Sequence, residues 1–180
     1  MLVAKQKRKD NIAEYILYMW QVEDTIRACK FNIDVIEERI ISQFTTSNQV
    51  KAEARDWYAN LIVMMHEEDR KSIGHLSMLE SLVDDLYDLH TRILSSGRDQ
   101  KYADQYALTA ANIKEFENKL GASSRNEIET CLTALYALLL LRLRKKNITR
   151  ETLEAMQTFS NLLAMLAKWY KKIEEGTAEL

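Results

Sequence analysis

A chain of 180 residues, 47% apolar and 29% charged, has the makeup of a folded globular domain and not of a disordered segment. Its net charge of −2 gives no bulk attraction to nucleic acid or to an acidic membrane, so neither is expected as a partner. Proline is absent where average usage predicts about nine, and the four glycines, Gly74, Gly97, Gly121 and Gly176, each fall between or after periodic segments. Without helix breakers inside its elements, the chain is predicted to be all-α.

Seven helical segments are read along the chain. In the first, Ile12, Tyr15, Met19, Val22, Ile26 and Cys29 recur at three- and four-residue steps, an apolar seam on one helix face. Asp34 and Glu37 are taken as a capping pair for a short second helix that ends near "FTTSN". The third carries Val50, Ala54, Trp57, Leu61 and Met64 on one line, and the fourth carries Leu79, Leu82, Leu86, Leu89 and Ile93. The fifth runs from Tyr102 through Tyr106, Thr109, Ile113 and Phe116 to Leu120, with Gly121 as its terminator. Ser124 and Glu127 form an S-x-x-E capping box for the sixth, which is apolar almost all round from Cys131 to Leu141 and is therefore expected to be the most buried. The seventh shows Met156, Phe159, Leu163, Leu166, Tyr170 and Ile173, with lysines on its outer side and Gly176 at its end. Short turns favour antiparallel neighbours. Residues 1–180 are thus expected to form a single-domain, antiparallel helical bundle of about seven helices.

The N-terminal "MLVAKQKRKD" followed by an apolar run has the outline of a signal peptide. That run contains Glu14, lacks an A-x-A site and meets Glu23 and Asp24 at once. The run "CLTALYALLLL" is about half the ~20 residues that a membrane span requires. Cys29 and Cys131 lie far apart in apolar segments and read as buried thiols. Together these features point to a cytoplasmic protein.

"HEEDRKSIGH", residues 66–75, begins like a zinc-protease helix, but Arg70 stands where the second histidine of H-E-x-x-H is needed. On an unbroken helix His66 and His75 would face opposite sides, about 13 Å apart along the axis. Lys71, Ser72 and Gly74 argue for a turn between them. His75 and His90, on one helix, would be about 22 Å apart along it and could not share an ion. No metal and no cofactor are expected. "DDLYD", residues 84–88, matches the DDxxD with which helical isoprenoid synthases hold magnesium and diphosphate. Here Asp84 and Asp88 face away from the Leu86 side, so a solvated face with an Asp88–Arg92 pair is expected instead. Nucleophile-elbow, dinucleotide and P-loop motifs are missing. The basic clusters "KQKRK", "RLRKK" and "KWYKK" belong to no nucleic-acid-binding motif.

Two features remain suggestive. Leu17 and Trp20 lie behind the seam of the first helix and form a candidate subunit interface. His75 and His90 point toward the core side of the fourth helix and Glu23 flanks the seam of the first. With Tyr18 and Trp20 these make a candidate ligand cluster, Tyr18, Trp20, Glu23, His75 and His90.

"KRKDNIAEYILYMWQVED", then "GHL" at 74–76 and "DLYDLH" at 85–90, resemble a family of bacterial proteins of about this length, a domain of unknown function. The resemblance implies a bacterial, cytoplasmic, stand-alone helical protein and carries no catalytic residue. The expected function is that of a structural or protein-interaction module that self-associates. The alternative is a small-ligand-binding protein or enzyme built on Glu23, His75 and His90.

Overall fold

The structure, a computed structural model, describes residues 2–120 and 124–179. It is all-helical, with eight α-helices and no strand among those residues. They are α1 (Leu2–Asp10), α2 (Ile12–Ala28), α3 (Ile33–Arg39), α4 (Asn48–Glu67), α5 (Ser77–Ser96), α6 (Gln100–Leu120), α7 (Glu127–Leu143) and α8 (Arg150–Glu174), with a 3-10 turn at Ile41–Gln43. The added helix is α1. Its lysines, glutamine and arginine favour helix, but it has too few apolar residues for a period to register. Asn11 separates it from α2 and caps the latter, its Oδ1 accepting from the Ala13 N–H at 3.0 Å.

The helix starts differ from the expected capping pairs. Asn32, not Asp34, caps α3, accepting from the Asp34 and Val35 amides at 2.9 and 3.2 Å. Asp34 and Glu37 both reach outward to Arg55 of α4 instead. Asn126, not Ser124, caps α7 through the Glu129 amide at 2.9 Å. In both places an asparagine stands immediately before the first helical residue and satisfies the free amides, whereas Asp34 lies already inside α3 and Ser124 stands two residues too early. The expected terminator Gly121 lies outside the described residues.

Helix ends follow one device. After α2, α4, α7 and α8, paired backbone bonds close the last turn in the Schellman pattern, as in Lys145 N–H to Arg142 O and Lys146 N–H to Leu141 O, both 3.0 Å. The residue after the cap must then be left-handed, yet Lys30, Asp69 and Lys145 occupy it where glycine is usual; only Gly176 conforms.

The chain divides into two compact units, Met1–Arg8 with Glu14–Ser81, and Lys9–Ala13 with Leu82–Leu180. In the first, α3 and the 3-10 turn pack on α4. The buried line of α4 is Ala54, Tyr58, Leu61 and Met65, rotated from the expected one so that Tyr58, and not Trp57, enters the core. In the second unit α6, α7 and α8 pack on one another. Helices α6 and α8 run antiparallel: Asp99, before α6, accepts from Trp169 Nε1 at 2.7 Å, while Asn112 donates to Thr158 Oγ1 at 3.1 Å. Helix α7 is buried at Ile128, Cys131, Leu132, Ala134 and Leu138, but its last turns emerge, with Leu141 and Leu143 exposed.

Candidate functional site

Two polar networks gather the residues able to do chemistry, one in each unit.

In the first unit the network closes the loop between α4 and α5. Glu23, on α2, is fully buried. Its Oε2 lies 2.5 Å from His75 Nδ1, and its Oε1 accepts from the Leu76 N–H at 2.8 Å. Facing a carboxylate, His75 Nδ1 is the donor, which leaves Nε2 as the other edge of the ring. The Trp20 indole stacks on the imidazole, ring centres 4.2 Å apart and 10° from parallel. One turn after Glu23, Arg27 donates to the carbonyls of Arg70 and Gly74 at 3.1 and 2.5 Å and pairs with Asp24. Glu68 receives the Ser77 amide and hydroxyl at 2.6 and 2.8 Å, so both ends of the loop are fastened. Gly74 sits at φ +80°, where a Cβ would meet Arg70 Nη1 at 2.9 Å. A carboxylate that orients an imidazole is half of an acid–base site. Among the described residues no serine or cysteine hydrogen-bonds to His75.

In the second unit His90, on α5 and only 2% exposed, is held by two groups. Its Nδ1 is 2.7 Å from the Tyr102 hydroxyl and its Nε2 is 3.5 Å from Glu127. Tyr106 donates to the other oxygen of Glu127 at 2.9 Å. The rings of Tyr87, Tyr102 and Tyr106 enclose the imidazole. Burial lowers the His90 pKa and Glu127 only partly offsets it, so the ring is held neutral. Burial also raises both phenols, Tyr106 to about 12, and raises the Cys131 thiol, which rules out a thiolate nucleophile there. This network joins α5, α6 and α7.

Of the expected cluster, Trp20, Glu23 and His75 meet, while His90 has its own partners. Tyr18 is half-buried on α2, its phenol raised by burial. His66 lies against the Phe31 ring. Among the described residues no three His, Cys, Asp or Glu side chains gather as a metal site. In the DDxxD segment Asp84, Asp85 and Asp88 are exposed, and Asp84 pairs with Arg125 at 3.4 Å, whereas no Asp88–Arg92 pair forms among the described residues. Trp20 is 2% exposed and Leu17 partly buried, so the interface expected on them is not an exposed aromatic patch; stacking on His75 has consumed the indole face.

Sequence reasoning missed the Arg27 clamp, which acts on backbone carbonyls and leaves no side-chain pattern. It also missed Tyr106 and Glu127 as partners of His90, although Tyr102 and Tyr106 stand one turn apart on the same face. A third feature is a cavity of about 820 Å³ bordered by α6, α7 and α8, floored by Phe116, Leu138, Met156 and Phe159 and rimmed by Glu115, Glu151 and Glu154.

No helix among the described residues is long and apolar enough to cross a membrane. Residues 1–177 match the family described as Domain of unknown function (DUF4924), and the chain belongs to that family. No curated protein and no solved structure matches it.

Proposed function

We propose, from membership of an uncharacterised family and from the geometry above, that this protein is a structural or protein-interaction module that works by self-association. The observation that carries the reading is how its chemically able side chains are spent. Both oxygens of Glu23 hold the loop of its own unit, and the four polar residues of the second network, Tyr102, His90, Glu127 and Tyr106, are chained to one another. Surface features able to meet a partner lie elsewhere, at Leu141, Leu143 and Leu153, which stay exposed at the end of α7 and the start of α8. Light scattering on the full chain over a rising concentration series tests this: an oligomer is expected, and a monomer at every concentration contradicts it.

A second reading has one observation in its favour. His75 keeps 28% of its side chain exposed while the buried Glu23 orients it, the arrangement of a proton-accepting imidazole in a small-ligand site. If that reading holds, His75→Gln abolishes ligand uptake while leaving the assembly state unchanged; if the module reading holds, the same variant loses stability alone.

A further inference from the structure

The end of the second unit carries two adjoining surfaces of opposite character. One is the cavity bordered by α6, α7 and α8, whose floor is apolar and whose lining includes two half-buried alanines, Ala137 and Ala155, that let another chain approach closely. Its rim is acidic. Glu115 is paired with Lys119 and Glu154 with Arg150, but Glu151 has no ion partner among the described residues. The other surface is the tip of α7. Leu143 is 68% exposed there, and Arg142, Arg144, Lys145 and Lys146 around it are all exposed, with no ion pair among the described residues. The first surface needs an apolar, basic occupant, and the second is an apolar, basic protrusion.

We propose that the α7 tip of one copy of this chain, Leu143 with Arg142 and Arg144, seats in the α6–α7–α8 groove of a second copy, which returns the contact about a two-fold axis. The inference rests on the self-association reading and names its surface. A two-fold contact is self-complementary, so both halves must be present on one chain, as they are here. Opposite charge fixes the pairing: four cations crowded at one tip repel one another until carboxylates face them, and the rim supplies Glu151, with Glu154 able to exchange its exposed Arg150 partner for the tip. An unrelated acidic partner would satisfy the tip and leave the acidic rim unmatched. A small apolar ligand would fill the floor and leave Leu143 in water.

The test is a charge exchange read by light scattering on the full chain, with helix content checked for each variant. Arg142→Glu with Arg144→Glu sets carboxylates at the two seating positions against the carboxylates of the rim; Glu151→Lys with Glu154→Lys sets cations on the rim against those of the tip. Each double variant alone is expected to weaken the dimer roughly tenfold or more, and an equimolar mixture of the two is expected to restore it, since every tip then faces an opposite rim. Leu143→Ser, a fully surface change, is expected to weaken it without loss of helix content. Folded variants that associate like the wild type, or a mixture that does not recover, would overturn the groove assignment while leaving self-association intact. A monomeric wild type would overturn both, and one that takes up an apolar dye displaced by Leu138→Trp would make the groove a ligand site.

Discussion

Glu23 is a fully buried carboxylate of the first unit. Its carboxylate is out of contact with water and serves two donors, an imidazole and a backbone amide. Removing it strands both, and each buried donor without a partner costs more than the bond itself contributed. Glu23→Ala is therefore expected to destabilise the chain by about 2–4 kcal/mol in urea unfolding. His90 gives a pH-dependent counterpart. Its folded pKa lies below the ordinary 6.5, so as pH falls the unfolded chain takes the proton first. Stability from this group is complete above about 6.5 and is lost as pH drops from there toward the folded pKa. The groups facing the ring are Tyr87, Tyr102, Tyr106 and Glu127. His90→Gln should flatten the slope of unfolding free energy in that window by at most about 1.4 kcal/mol per pH unit. An unchanged slope would mean that the imidazole is not held neutral.

Among the elements, the ends of helices show where sequence reading reached and where it stopped. Interiors were legible because burial repeats at helical spacing: Leu79, Leu86, Leu89 and Ile93 in α5 and Met156, Phe159, Leu163 and Leu166 in α8 are all buried as the period required. The ends were less so, because competing caps stand within two residues of each other. Asn126 caps α7, so Asn126→Ala should cost about 1 kcal/mol in thermal or urea unfolding. A cost close to zero would mean that the Glu129 amide finds its cap elsewhere. The C-terminal stops of α2, α4 and α7 carried no glycine to announce them. Asp69 takes a left-handed conformation that costs an ordinary side chain roughly 1 kcal/mol, and Asp69→Gly should recover about 0.5–1 kcal/mol. The polar networks were half legible. Glu23, His75 and His90 could be picked out as core-facing groups, whereas Trp20 was read as lying behind the seam; which partner each would find depends on the turn at Gly74 and on the packing of α6, and neither is written in a periodicity.

For the whole molecule, polar chemistry is spent inside each unit, and the contact proposed with a second copy uses the exposed leucines and charges at the α7–α8 end. A tip–rim contact made by opposite charges must weaken as salt rises, since exposed charges are screened within about 10 Å at 0.1 M. The dimer dissociation constant should therefore climb with ionic strength, and an association indifferent to salt would point to an apolar contact elsewhere. Hydrogen–deuterium exchange of the full chain, compared between dilute and concentrated solutions, tests the central claim most directly. Added protection is expected in the concentrated sample, confined to the last turns of α7, the first turns of α8 and the groove-lining turns of α6 around residues 112–119. Protection that is the same at both concentrations, or that rises instead around residues 70–77, would contradict it.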